Sequence, residues 1–459
     1  MSITTVNFQP KVWSSGYNPI MWSVTSNQNT QVDMKYVFDI FMNSATSYTY
    51  RIKQRPNPAG AGMLDVSTLT QAFLDMGLYN PELATTPYVS YTEFPAFVSV
   101  RVGEEYYVNG RLNIFNGAGA TGSPAYQLLP YGVTGSFVRV LPAALDFNQQ
   151  MGIMTATTST YPFWDSYFMD GNGKFLSLEP GERSVRLTDR HTLAFINRWD
   201  AAPGSFAASV QAIRVIRYNA AGSVIGTDDF YNNTGQGGGP QTNNTYLSTT
   251  ETRSTDILHF RCGPWDLGPI SFANTAYYTV TAYYKASATS SPTLTTVASE
   301  TIRFNIDREC EDLYQNVRIS WLNSLGGRDY YNFKMFYEKT TNSKQETYNQ
   351  NELNYSALSP VTVGTGSSVY NRGGDKVFNK VVETTFEIQT DYLPQSYVDF
   401  LAGIPESPST WAYIGDANNT PYTIVIENVE YTYKNVKQTK LVQATFTCKY
   451  TKSQIKQNM

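Results

Sequence analysis

Apolar and polar residues alternate with a period of two along much of this chain, the pattern of half-buried β-strands. Val442, Ala444, Phe446, Cys448 and Tyr450 alternate with Gln443, Thr445, Thr447, Lys449 and Thr451, which predicts a strand over 442–450. Ile424, Ile426, Val429, Tyr431 and Tyr433 predict its partner, with a change of register near Glu427. Tyr36, Phe38, Ile40 and Met42 predict another strand, Tyr48, Tyr50 and Ile52 the next, and Val98, Val100 and Val102 a further one. Val317, Ile319 and Trp321 lead into Gly326-Gly327, and Tyr331, Phe333 and Met335 resume the alternation, predicting strand, tight turn, strand. Both glycines are expected to take positive backbone angles, which other residues adopt at a cost.

Helical spacing appears twice. Asp65 stands as an N-cap before Val66, Leu69, Phe73 and Leu74. Pro394 stands in the first turn of a helix whose apolar face is Tyr397, Phe400, Leu401 and Ile404, with Gly403 and Pro405 ending it. Everything else reads as strands and turns. Short β candidates recur at Val185–Leu187, Leu193–Ile196, Ile213–Ile216, Ile257–Phe260 and Tyr277–Tyr284. The fold class is therefore mainly β: a multidomain chain of β-sandwich or barrel-like modules with a few short helices.

Length supports several cores, since domains run to roughly 100–200 residues each. Three modules are expected: 1–140, a sandwich with one short helix; 141–305, a sandwich carrying a long polar loop at 231–245; and 306–459, a β module with one helix near 394–404.

Composition narrows the function classes. Net charge is −4, charged residues make up 16 %, and the isoelectric point is near 5.4, so no global polyanion-binding signal is present. Aromatics reach 14 %, with 34 tyrosines. Tyrosine suits both strands and protein interfaces, because its ring is apolar and its hydroxyl finds a partner. The three cysteines, Cys262, Cys310 and Cys448, form no CxxC pair and argue against a disulfide framework or a zinc site. No signal peptide is visible at the start, and no run approaches a membrane span, so folding in a reducing cytoplasm is expected.

Candidate chemistry is sparse. Gly117-Ala-Gly-Ala-Thr-Gly122 matches GxGxxG, but Ser123-Pro124 follows where a dinucleotide site needs a helix, so a loop is expected. The only histidines, His191 and His259, have no nucleophile motif beside them and read as structural. Asp307, Glu309, Glu311 and Asp312 could serve glycoside hydrolysis only if placed across a sugar; a solvated junction is the plainer reading. Asp170-Gly-Asn-Gly-Lys174 lacks the later ligands of a calcium loop and reads as a hairpin turn. The sequons at Asn232 and Asn243 read as chance matches. No catalytic, metal or cofactor-binding residue is assigned.

The C-terminal segment is basic. From Tyr431 to Met459 it holds six lysines and no acid. Lys434, Lys437, Lys440 and Lys449 are candidates for contact with an acidic neighbour or passing nucleic acid; the alternative is edge-strand protection.

Three segments resemble virion proteins of tailed phages, especially those of Bacteroidetes and the crAss-like phages. They are Asn18-Pro-Ile-Met-Trp22 with Tyr36–Ile40, Arg55-Pro-Asn-Pro58 and the helix start at Asp65; Ile319 to Phe333; and Thr390-Asp-Tyr-Leu393 with the following helix, Ser407-Pro408 and the closing strand pair. The resemblance implies a non-enzymatic building block of the tail, neck or collar. It implies a homo-oligomeric ring, other virion proteins as neighbours, DNA passing through a channel, and assembly in the host bacterial cytoplasm. Within it, Trp321, Gly326, Gly327, Tyr331 and Phe333 are expected to form a structural turn and its core. A receptor- or glycan-binding fibre module is the alternative, and a glycan hydrolase the third reading.

Overall fold

The computed structural model describes residues 3–8, 10, 13–42, 48–77, 88–90, 96–108, 111–116, 127–128, 138–150, 163–169, 171–197, 210–232, 257–268, 270–284, 294, 296–308, 315–350, 374–415, 421–434, 441–451 and 454–455. Strands take 59 % of them and helices 9 %, so the chain is mainly β. Two compact units result: residues 1–310 with 320–331 and 399–409, and residues 311–319 with 332–398 and 410–459. The sequence modules 1–140 and 141–305 both fall within the first unit.

The first unit holds two sandwiches. In one, a three-stranded sheet (Ile3–Phe8, Met21–Ser26, Ala61–Asp65) faces a seven-stranded sheet centred on Lys35–Met42 and Ala96–Val108. Trp22, Val24 and Leu64 from the small sheet share a core with Tyr36, Phe38, Ile40, Val98, Val100 and Val140 from the large one. Leu74 of the helix Ser67–Gly77 joins them. The cap is one residue later than expected: the Val66 carbonyl accepts the first helical bond, from the Thr70 N–H at 3.0 Å, while the Asp65 carboxylate just before it accepts the Ser67 N–H at 2.9 Å and the Ile20 N–H at 3.2 Å.

The other sandwich packs a five-stranded sheet (Arg183–Arg186, Thr296–Asp307, Tyr277–Tyr284, Val210–Tyr218, Val224–Tyr231) on a three-stranded one (Thr192–Ile196, Ile257–Arg261, Tyr88–Ser90). Val215, Val280 and Phe304 meet Phe195, Leu258 and Phe260 in its core. The Tyr88–Ser90 strand comes from the N-terminal segment and pairs antiparallel with Ile257–Arg261. Its Tyr88 hydroxyl donates to the Phe230 carbonyl and accepts the Ile213 N–H at 3.0 Å.

The C-terminal sheet has nine strands. Its main path runs Arg328–Phe333, Val317–Leu322, Thr410–Ile414, Pro421–Lys434, Leu441–Tyr450, Gly374–Gln389, Phe336–Gln350. The alternation expected at 442–450 is present: Val442, Ala444, Phe446 and Cys448 are buried and the residues between them half-buried. The register change expected near Glu427 is also present, between Ile426↔Cys448 and Asn428↔Thr447.

Several expectations are corrected. Lys35–Met42 is buried on both faces beyond Lys35, not one. The second face is closed by Arg51, bound to Asp39 at 2.6 and 2.9 Å, and by the Arg101 guanidinium over Phe41 at 4.2 Å. Tyr48 and Tyr50 are exposed, leaving Ile52 alone of that set against the core. Pro394 sits not in a helix but in a short strand, Leu393–Pro394, that pairs with Leu441–Tyr450. The helix is Gln395–Leu401, and Gly403 opens a second short helix, Gly403–Glu406, instead of ending the first. Of the expected hairpin turn at 170–174, Asp170 lies outside the described residues, and the rest pairs with a distant strand instead of with itself: Gly171 and Gly173 both donate to the Ala298 carbonyl at 3.1 Å, and Gly173 bridges Ser299 in parallel.

Candidate functional site

Two features of the third sequence module are built in ways that matter for function: the tip of the 317–333 hairpin and a long ribbon beyond it.

At the tip, Asn323 organises the turn. Its backbone N–H donates to the Gly327 carbonyl at 2.8 Å, and its side-chain oxygen accepts the N–H groups of Leu325 and Gly327, both at 3.0 Å. Gly326 has φ +86°, as expected for a turn glycine. Gly327 does not have a positive φ; it is required for a different reason. A Cβ there would stand 1.9 Å from the Leu176 carbonyl oxygen.

The faces expected to meet solvent are buried. All six residues of Val317–Leu322 are buried, including Arg318 and Ser320. Arg328 donates to the Ser320 carbonyl at 3.3 Å and its hydroxyl at 3.1 Å. Asp329 accepts the Asn323 amide at 2.8 Å, the Leu178 N–H at 3.0 Å and the Ser177 hydroxyl, which also accepts from Arg183 at 2.8 Å. Burial pushes the Asp329 carboxyl above the ordinary carboxylate range, opposed by the Ser177 hydroxyl and the Arg183 charge. The polar residues are inside because they bond one another.

Among the residues singled out from sequence, Trp321 is buried with its ring 4.9 Å from Phe400, and Phe333 is buried 5.4 Å from Phe446. Tyr331 is only half-buried; its neighbour Tyr330 is the buried ring. The Tyr330 hydroxyl meets Thr192, accepting its N–H at 3.1 Å, and its ring lies 4.1 Å from His191. Met335 is exposed and lies outside the strand.

Both histidines are buried. His259 is pushed down to about 3, by burial first and by the Arg328 charge second. Asp307 lies 4.0 Å from Arg186 across adjacent strands, while Glu309, Glu311 and Asp312 fall outside the described residues. So do the GxGxxG segment 117–122, Cys310, Asn243 and most of the 231–245 loop. Asn232 is buried and donates to the Val210 carbonyl at 3.0 Å, which holds its side-chain amide inside the fold. Cys262 and Cys448 are buried free thiols, and burial raises the Cys448 thiol. Among the described residues no cluster of three His, Cys, Asp or Glu could hold a metal, and no helix is long and apolar enough to cross a membrane.

Of the four lysines, Lys449 lies 3.5 Å from Glu383 and 3.7 Å from Glu427, so cross-strand carboxylates balance it. Lys434 ends the strand Pro421–Lys434, its side chain outside the described residues, as are Lys437 and Lys440.

The ribbon is what sequence reasoning missed. Phe336–Gln350 and Gly374–Gln389 pair antiparallel from Phe336↔Gln389 to Gln350↔Gly374. Near its base the ribbon has further neighbours, since Leu441–Tyr450 pairs with 385–389 and Gln454–Ile455 with 381–382. Among the described residues, 345–350 and 374–380 pair only with each other. That part spans about 20 Å, at roughly 3.3 Å per residue. Its sides are open: Tyr348 is 48 % and Phe378 65 % exposed, their rings 6.4 Å apart edge to face. Phe378 is the extra residue where the register passes from Glu346↔Asn379 to Thr347↔Val377. The sequence signal was the absence of Gly and Pro across fifteen Thr- and Tyr-rich residues, 336–350, not any apolar alternation.

Two surface hollows accompany these features. One, about 570 Å³, lies between residues 29–34 and 55–60 and has Asp33 and Arg55 on its walls but no aromatic ring among the described residues. The other, about 210 Å³, lies beside Trp321 and Phe400 at the hairpin tip. The buried tip is a packing device and the ribbon an exposed arm; no known family model matches the chain, and no curated protein matches it in sequence.

Proposed function

We infer that this chain is a non-enzymatic structural subunit of a tailed-phage virion, a part of the tail, neck or collar that assembles with its own copies into a symmetric ring. The ribbon carries the reading. A two-stranded ribbon with no third strand is marginal in water, because neither face is covered and one edge of each strand is unpaired. A chain that keeps such an arm gains from a partner that covers it.

The rest of the molecule agrees with a scaffold role. Its polar interior groups at the 317–333 hairpin are spent on one another: Asp329 on Ser177, Leu178 and Asn323, and Arg328 on Ser320. Groups held this way specify a packing arrangement and face no substrate. Low charge and many tyrosines suit large contact surfaces. In a ring, one heterologous contact repeats until it closes.

Electron microscopy of virions with this chain labelled tests the reading. A ring of labelled density in the tail, neck or collar is expected. Label absent from particles would remove the virion assignment.

A further inference from the structure

Phe336–Gln350 is the last strand of its sheet among the described residues, and along 340–350 the N–H and C=O groups on its outer side have no strand partner there. We propose that this edge pairs with the same edge of a second copy, antiparallel and two-fold, with the axis at Gln345. The contact is an interaction surface for a second copy of this chain. It closes on two copies, whereas a ring uses a heterologous contact, so the proposal stands apart from the ring.

The register follows from charge and pleat. In an antiparallel pair around a two-fold axis each residue at the axis faces its own copy, because directly opposite side chains share a face of the sheet. Charged residues on this strand are Glu338, Lys339, Lys344 and Glu346. An axis at Asn342 would set Glu338 opposite Glu346. An axis at Lys344 or at Glu346 would set that residue opposite itself. Like charges directly opposite destabilise a sheet. An axis at Ser343 sets no two charged residues opposite each other and so gains no ion pair, whereas an axis at Gln345 places Lys344 opposite Glu346 on both sides of the axis.

An axis at Thr341 also avoids like charges, facing Glu338 with Lys344, but it pairs only residues 336–346. Those are largely the residues already backed by further strands at the ribbon base. The Gln345 register pairs 340–350 with its copy and so covers the part of the ribbon that has only two strands. Lys344 is free to reach across: its own-chain carboxylate, Glu383, is 3.8 Å away, and the lysine side chain is 78 % exposed. Pairing turns the two-stranded arm into four strands, with on the order of ten new backbone hydrogen bonds.

Charge exchange in the full-length chain tests the contact. Lys344→Glu places carboxylates opposite one another at both pairs, and Glu346→Lys does the same with ammonium groups. Each variant alone should self-associate at least ten-fold more weakly than the native chain in sedimentation equilibrium. An equimolar mixture of the two should recover a mixed dimer, because each pair is then again Lys to Glu. Gln345→Cys should cross-link to itself on oxidation, since directly opposite Cα atoms stand about 4.5–5.5 Å apart, and Thr341→Cys should not. A native chain that forms this dimer without rings supports the pairing and counts against the ring alone. Unchanged association of Lys344→Glu, no recovery on mixing, or cross-linking at Thr341→Cys in place of Gln345→Cys each overturns the proposal.

Discussion

The Leu176 carbonyl oxygen lies 1.9 Å from where a Cβ on Gly327 would stand. A backbone carbonyl cannot swing aside as a side-chain tip can, so Gly327→Ala forces the hairpin off the Phe175–Ser177 segment. The expected loss is about 3 kcal/mol of stability in urea unfolding. Gly326→Ala meets the Pro142 carbonyl oxygen at 3.3 Å, a tight contact that a shift of a few tenths of an ångström relieves, and must hold φ +86°. Its expected cost is about 1–2 kcal/mol. Equal, small losses at both positions would mean that the close approach at Gly327 does not hold the tip in place.

Asn323→Ala tests the same turn from its polar side. The change removes four hydrogen bonds, to Leu325, Gly327, Leu176 and Asp329, and leaves buried backbone groups without those partners. About 3 kcal/mol of destabilisation is expected. Asn323→Asp keeps the two accepted bonds but sets a second carboxylate against Asp329. It should fall below native stability at neutral pH and recover on acidification, read from melting temperatures over pH 5–8.

His259 predicts an acid limb. In the folded chain its imidazole stays neutral down to about pH 3. Unfolded, it takes up a proton near its ordinary value of about 6.5. Between those values the unfolded chain holds the extra proton, so stability falls as pH drops from 6.5 toward 3, by about 1.4 kcal/mol per pH unit. Asp329 has the opposite sign: its raised carboxyl favours the fold at low pH and costs stability as pH rises through its folded value. His259→Leu should flatten the limb between pH 6.5 and 5 relative to the native chain in urea titrations. An identical slope in both proteins would show that His259 is not held neutral.

Tyr88→Phe should cost about 2 kcal/mol. It deletes one hydroxyl that both donates to the Phe230 carbonyl and accepts the Ile213 N–H, tying the three-residue strand Tyr88–Ser90 to its sandwich. Amide exchange at Ile213 should accelerate with it. Unchanged protection there would mean the strand is held by its ladder to Ile257–Arg261 alone.

Legibility in the sequence followed how each strand is buried. Leu441–Tyr450 has one face in and one half out, so its period of two was plain, and the Glu427 bulge showed as a break in its partner's alternation. Where both faces are covered the pattern misled. Arg318 and Ser320 read as solvent-facing because polar letters cannot announce that they find partners inside, Arg318 in Asn332 and Ser320 in Arg328. Tyr330 and Tyr331 are identical letters, and only Tyr330 is placed to meet Thr192. Tyr88–Ser90 was invisible because three residues carry no period and the strand it joins, Ile257–Arg261, is far along the chain. The ribbon was invisible for the opposite reason: it packs so little of its length that it needs no apolar face.

The central claim is self-assembly, and electron microscopy of the purified full-length chain tests it most directly. The account predicts closed, symmetric rings of one subunit type. A field of single, separate copies at concentrations where virion proteins assemble would contradict it.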